Sequence, residues 1–365
     1  MRQTSLLCVL SLASAALAAR PFLNEPDTMI DESFETFPIA NGSLPDLSRI
    51  LGLPDFDWVA RQNNLEVFEH YRFRPRVMVD VTDIESSMGT TIFGHKFSAP
   101  FFISPCATAG LAHAEGEIGL LKAAAEQNIL YIVPLLCRVP LEKIAAARPP
   151  SLTISVLLTQ EIYISNNKTA NIILFRRVEK MGAKAMVLTV DSAGDRTRHR
   201  ALRFEENANQ TRSANLKKLT KLSIIPKGIQ TVEDAVQAVE AGAPAIFLSN
   251  HGGRALDGSP SAFEVALEIH KKAPQVFKNI EVYADGGVRY GTDVLKLLAL
   301  GVRAVGLGRS FMYANLYGAE GVSRTAKLLK KEITASAASL GVADLKKINS
   351  SFVSCGPWVI MISIC

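Results

Sequence analysis

Metal-binding and dithiol signatures are missing from this chain. Its five cysteines in 365 residues include no Cys-x-x-Cys pair and no clustering at metal-ligand spacing, which disfavours a zinc module or a thiol redox motif. Long hydrophobic runs are missing too. The apolar tail from Trp358 to Cys365 falls far below the ~20 residues that a membrane-spanning helix needs. Charge of one sign is scarce: 40 basic against 35 acidic residues leave a formal net charge of +5, too mild to point to nucleic acid. The densest basic stretch, Lys217-Lys218 with Lys221, reads as the solvated face of a lysine-leucine helix. There is no low-complexity tract. No Gly-x-Gly-x-x-Gly follows the first predicted strand, which counts against a dinucleotide-binding open sheet.

What is present is the composition of a globular protein, 48% hydrophobic and 21% charged. Its length suits one large α/β barrel or two ordinary domains. The N-terminus reads as a secretory signal peptide over residues 1–19. Met1-Arg2 precedes an apolar run from Leu6 to about Leu12, and Ala16-Leu17-Ala18 supplies a small-x-small cleavage signature. Residues 20–48 form an N-terminal extension, 49–350 the barrel, and 351–365 a tail of atypical sequence. On a secretory route Asn41, Asn167, Asn209 and Asn349 become N-glycosylation acceptors, each in an Asn-x-Ser/Thr triplet. Cys8 leaves with the signal. Spacing assigns no disulfide among Cys106, Cys137, Cys355 and Cys365.

Short apolar runs rich in β-branched residues recur along the chain. They predict strands at Phe101–Ser104, Tyr131–Pro134, Leu152–Leu158, Ala185–Val190, Leu222–Pro226, Ala245–Ser249, Glu281–Ala284 and Ala304–Leu307. Helical patterns at Glu115–Gln127, Leu141–Ala147, Ala170–Met181, Val232–Ala241, Ala262–Lys272 and Thr292–Leu300 lie between them. Strand–helix alternation implies a parallel sheet, and eight units close into a (β/α)8 TIM barrel, an α/β fold. A doubly wound open sheet is the alternative.

A barrel places chemistry at the C-terminal ends of its strands. Five successive ends carry residues that packing does not require: Thr189-Val190-Asp191, Lys227-Gly228, Ser249-Asn250-His251-Gly252-Gly253-Arg254, Asp285-Gly286-Gly287-Val288-Arg289 and Gly306-Leu307-Gly308-Arg309. The last two loops are the fold's recurrent phosphate position. Their glycines expose backbone N–H groups, and Arg289 and Arg309 add cations, so a phosphorylated ligand follows. Lys227 emerges from the middle of the sheet, where an unpaired ammonium is costly, and so needs an anion or an electron-rich ligand. Asp191 needs a donor. His251 is a sensible one, because a carboxylate on an imidazole fixes its tautomer. Arg198 and Arg254 could together clamp a substrate carboxylate.

These motifs, with Gly291-Thr292-Asp293, resemble the FMN-dependent 2-hydroxy-acid dehydrogenases and oxidases. Glycolate oxidase, lactate oxidase and the flavin domain of flavocytochrome b2 belong to that family. The likeness runs from about Phe73-Arg74-Pro75-Arg76 to Gly341. It implies FMN as cofactor, a small 2-hydroxy acid as substrate, and O2 or another electron acceptor. Members often form tetramers. His251 would remove a proton as the substrate C2–H bond breaks, with Asp191 as its partner. Arg254 and Arg198 would bind the carboxylate, and Tyr163 would contact substrate. Lys227 would stabilise the anionic reduced ring. Thr189, Ser249 and the backbone of Pro105, Cys106 and Ala107 would bind flavin. Asp285, Gly286, Gly287, Arg289, Gly308 and Arg309 would hold its ribityl and phosphate groups.

The chain departs from the family at several places, among them a shorter loop between Arg203 and Lys217 and the last residues from Ser354 to Cys365. A Tyr-Tyr-x-Ser-Gly stretch normally precedes the Phe-x-Pro-Arg motif; here Arg61-Gln62 runs straight into Asn63-Asn64. Glu161 stands where a flavin-binding glutamine should fall, and Pro134 replaces a serine that usually contacts flavin. A secreted barrel of this type that has lost turnover therefore stands as the second reading.

Overall fold

The structure is a computed structural model that describes residues 58–148, 159–162, 167–191, 194–195, 209–210 and 220–355. Its frame is a closed ring of eight strands: β1 Phe101–Ile103, β2 Leu130–Val133, β3 Thr159–Ile162, β4 Ala185–Thr189, β5 Ser223–Ile229, β6 Ala245–Leu248, β7 Glu281–Asp285 and β8 Ala304–Leu307. Each pairs in parallel with its sequence neighbour, and β8 pairs with β1. The open-sheet alternative is excluded by that last pairing, and the fold is the (β/α)8 TIM barrel.

The pleat explains why the strands read as apolar runs. Successive side chains face opposite sides, so each strand serves two cores. Phe102, Ile132, Val187, Phe247 and Tyr283 fill the barrel interior, while their neighbours Phe101, Ile103, Val133, Ile246, Leu248 and Val282 pack under the helices. Inside the ring, Phe102, Phe247 and Tyr283 meet edge to face, with centroids 5.5, 6.0 and 6.3 Å apart. A hairpin, Thr90–Ile92 with His95–Phe97, plugs the N-terminal mouth. Its Ile92 and Phe97 join the interior, and Phe93 lies 5.6 Å from the Tyr283 ring. Toward the other mouth the buried groups become polar: Ser104, Glu161, Thr189, Lys227, Ser249 and Asp285. That change locates the site.

Two strands differ from the sequence reading by more than one residue at an end. The described third strand covers Thr159–Ile162, downstream of the expected run Leu152–Leu158, which lies outside the described residues. The fifth strand continues past Pro226 to Ile229, so Lys227 and Gly228 lie within it rather than after it. Proline lacks an N–H and reads as a stop. Here the pairing with β4 carries on, Lys227 opposite Thr189, and the irregularity falls one residue later at Gly228, whose φ is +103°.

Eight helices matter for the site: α1 Trp58–His70, α2 Glu117–Glu126, α3 Leu141–Ala146, α4 Lys168–Lys180, α5 Val232–Glu240, α6 Ala262–Lys272, α7 Gly291–Ala299 and α8 Gly318–Leu340. Local chemistry starts and stops them. The Thr231 hydroxyl accepts from Asp234 N to cap α5, and Ser261 with Glu264 forms a reciprocal capping box on α6. α8 ends at Gly341 in the left-handed region (φ +74°), where a Cβ would sit 2.1 Å from Arg76 O. α1 lies across α6, with Phe68 and Tyr71 against Phe263 at 5.2 and 4.8 Å. Val353–Cys355 pairs antiparallel with Tyr71–Phe73, which ties the start of the tail to the end of α1.

Candidate active site

The strand ends converge on one buried ammonium. Lys227 is 3% exposed and its Nζ lies 5.4 Å from the centroid of the Phe247 ring. Burial pulls its pKa down, but the carboxylates of Asp285, Asp191 and Glu161 outweigh that and raise it above the ordinary lysine value. The ammonium therefore stays charged across the neutral range. Its hydrogen bond to Ser249 Oγ is long, 3.4 Å, which leaves donor capacity for a ligand.

Asp285, the last residue of β7, organises two serines. Ser249 Oγ donates to its Oδ1 at 2.6 Å and Ser104 Oγ to its Oδ2 at 2.9 Å. Ser104 was not singled out by the sequence; the available signal was a hydroxyl at the C-terminal end of a barrel strand. Thr189 Oγ1 donates to Glu161 Oε1 at 3.0 Å, so Glu161 is a buried carboxylate held across β3 and β4.

Asp191 and His251 come together as expected. Nδ1 of His251 lies 3.0 and 3.1 Å from the two carboxylate oxygens of Asp191, whose side chain is fully buried. A carboxylate accepts only, so Nδ1 carries a proton, which in a neutral ring makes Nε2 the basic nitrogen. Gly228 makes the approach feasible, since a Cβ there would lie 2.6 Å from Asp191 Cβ. His251 itself has φ +61°, a conformation that a non-glycine residue keeps only where its surroundings over-determine it. Its N–H donates to Ser249 Oγ at 3.0 Å.

Arg254 follows one turn later, its Nε donating to His251 O at 3.4 Å. Arg309 reaches over from the β8 end and donates from Nη2 to Gly252 O at 2.8 Å. The Pro105-Cys106-Ala107 loop lies beside it: a Cβ on Gly308 would fall 2.9 Å from Cys106 Sγ. Burial pushes the Cys106 thiol up to about 11, with Arg254 and Arg309 opposing that rise. It is a neutral thiol and no nucleophile. Gly286 and Gly287 both have positive φ, and the N–H of Arg289 donates to Asp293 at the start of α7. Tyr163 and Arg198 lie outside the described residues. Among the described residues no His/Cys/Asp/Glu group could hold a metal ion, and no helix is long and apolar enough to cross a membrane.

The profile of the family described as FMN-dependent dehydrogenase matches residues 56–215 and 204–355. An L-lactate dehydrogenase (cytochrome) of Wickerhamomyces anomalus is 32% identical over 90% of this chain, which spans only 65% of that relative. A peroxisomal (S)-2-hydroxyacid oxidase, GLO3 of Arabidopsis thaliana, is 35% identical over 80% of this chain and 86% of its own length. The flavin-binding domain of baker's yeast flavocytochrome b2 superposes with a TM-score of 0.79 at 31% identity, covering 91% of this chain and 87% of that one. Mandelate oxidase gives 0.76 at 30% identity, with 89% and 98% covered.

The side chains present fit FMN on their own chemistry. A charged lysine with spare donors suits an electron-rich ring, and the glycine loops after β7 and β8, flanked by Arg289 and Arg309, suit a phosphate. By sequence match, by fold and by this donor set, the chain belongs to the FMN-dependent dehydrogenase family, whose cofactor is FMN.

Proposed function

We propose that this protein oxidises an (S)-2-hydroxy acid to the 2-oxo acid, passing the electrons to O2 or another acceptor. The observation that carries the reading is the buried Asp191–His251 pair, with Arg254 three residues on and the Lys227 ammonium beside it. Oxidation removes two electrons and two protons from the substrate's CH–OH group. FMN, when bound, would accept the two electrons together with one of the two protons. His251 takes a substrate proton on Nε2, and Asp191 stabilises the imidazolium that results. Arg254, with Arg198, holds the carboxylate by paired hydrogen bonds, and Tyr163 completes the substrate contact. Lys227 balances negative charge that develops beside it. Thr189, Ser249 and the backbone of Pro105-Cys106-Ala107 line the ring site; Asp285, Gly286, Gly287, Arg289, Gly308 and Arg309 hold the ribityl phosphate.

The test is a visible spectrum of the purified protein, followed by anaerobic addition of a panel of 2-hydroxy acids. The expected result is a flavin band that bleaches with at least one of them. His251→Gln should keep the band and slow bleaching by roughly 10²–10⁴-fold, the usual contribution of a general base. A protein that stays colourless with added FMN would overturn the reading in favour of a barrel without turnover, which the missing tyrosine stretch and Glu161 would then explain.

We further propose a secretory destination for the same protein, on the signal-like pattern of residues 1–19. Asn167 and Asn349 are exposed, and each caps a turn or helix through its Oδ1. Asn41 lies outside the described residues. Secretion from the native host with glycosidase-sensitive mass at these triplets supports this; an intact leader on unglycosylated intracellular protein refutes it.

A further inference from the structure

We propose that Asn64, on α1, is a positioning residue for the β6 loop that carries His251 and Arg254. The inference rests on the proposed roles of those two residues, and its geometry does not depend on them. Asn64 is 1% exposed, and a buried primary amide is costly unless its donors and acceptors are met. One of its donors and one of its acceptors are met by the same partner. Asn64 Nδ2 donates to Asn250 Oδ1 at 2.8 Å, and Asn64 Oδ1 accepts from Asn250 Nδ2 at 2.8 Å.

Asn250 immediately precedes His251 and is completely buried. Its remaining capacity is spent inside the loop. Oδ1 also accepts from Gly253 N at 2.9 Å, and Nδ2 also donates to Pro260 O at 3.1 Å. An amide offers two N–H groups and two lone pairs, so Asn250 is saturated and half of its bonds come from Asn64. Its backbone carbonyl accepts from Gly253 N and Arg254 N at 3.1 and 3.2 Å. The Asn250 side chain thus braces the turn that sets His251 at positive φ, alongside Ser249 and Arg309, and Asn250 is itself held from α1. Asn63 adds a second tie, donating to Glu264 Oε2 at 2.7 Å where Glu264 caps α6.

The contact separates two loops. The side chain of Asn64 hydrogen-bonds the β6 loop and also lies against Gly286, where a Cβ would fall 3.2 Å from its Nδ2, while its backbone carbonyl packs on the β7 loop: a Cβ on Gly287 would lie 1.8 Å from Asn64 O. Deleting the side chain removes the hydrogen bonds to the β6 loop and keeps the backbone contact with Gly287. Loss of FMN and loss of His251 alignment should therefore come apart.

The test compares FMN-loaded wild type with Asn64→Ala, Asn250→Ala and the double variant. Amide hydrogen exchange is read by mass spectrometry on peptides covering 249–256 and 281–290. Asn64→Ala should speed exchange in 249–256 by about tenfold or more, the loss expected of two buried hydrogen bonds. It should leave 281–290 unchanged and the FMN dissociation constant within about threefold of wild type. kcat for the hydroxy acid that bleaches the wild type should fall about tenfold, and the double variant should be no worse than Asn250→Ala. Unchanged exchange in 249–256 overturns the proposal. So does an equal rise in both peptides with loss of FMN, which would make Asn64 a general stability residue. If Asn64→Ala does not fold, the isosteric Asn64→Asp reads the same exchange. A wild type that no hydroxy acid reduces would sink the functional reading, while the exchange comparison still decides the positioning.

Discussion

His251 carries two demands at once: positive φ and a buried carboxylate on Nδ1. Arg254 is set by the same turn, and its value lies in a planar fork. Arg254→Lys keeps the charge and loses the paired geometry. KM for the hydroxy acid should rise about tenfold or more, while FMN affinity changes little. Equal loss of both, measured by steady-state kinetics and flavin titration, would make Arg254 structural. Cys106 offers a second test at this scale. With its thiol raised to about 11 against an ordinary value near 9, its thiolate fraction at pH 8 should be about 100-fold below that of an unperturbed thiol. Alkylation by iodoacetamide, followed by mass spectrometry, should be slow at pH 8 and speed up as pH rises toward the folded pKa. Rapid alkylation at neutral pH would contradict the burial argument. Lys227 has the opposite consequence. Its raised folded pKa gives stability that is fully present below the unfolded value and is lost only as pH rises through the folded one.

At the scale of elements, α1 and the two glycine loops are interlocked. Gly287 has φ +77°, and its missing Cβ leaves room for the backbone of Asn64. Gly287→Ala combines strain at positive φ with backbone overlap, and should cost at least about 2 kcal/mol and weaken FMN binding. Thermal melts with and without FMN would check it; an unchanged melt would mean that α1 can be displaced freely. Six of the helices were legible because each shows one apolar stripe. The strands were legible as runs, yet β5 was cut short at Pro226. A proline reads locally as a terminator, and it is the β4 and β6 partners that carry the strand on to Lys227 and Ile229. α1 and the 23-residue α8 were not read at all. α1 has no strong apolar stripe, and its buried face is defined by α6 and by the loops it touches.

For the whole molecule, the barrel interior is a separate core sealed below by the hairpin and above by the polar site. Phe102→Ala removes a fully buried ring touching Phe247 and Tyr283, one ring below the Lys227 ammonium that lies against Phe247. It should cost about 3–5 kcal/mol. Protein that still folds should bleach with the same hydroxy acid at a similar rate. A loss of activity out of proportion to the loss of fold, from urea melts and single-turnover reduction, would show that the interior packing sets the site. The chain by itself determined the class of fold, the strand-end motifs and the pairing of Asp191 with His251. Those are written in periodicity and in residue types that have few physical excuses to be buried. Tertiary structure alone decided that three carboxylates surround Lys227, that Asp285 gathers Ser104 and Ser249, and that Asn64 holds Asn250. Each of these joins residues distant in sequence, and only ring closure and the seating of α1 bring them within hydrogen-bond reach.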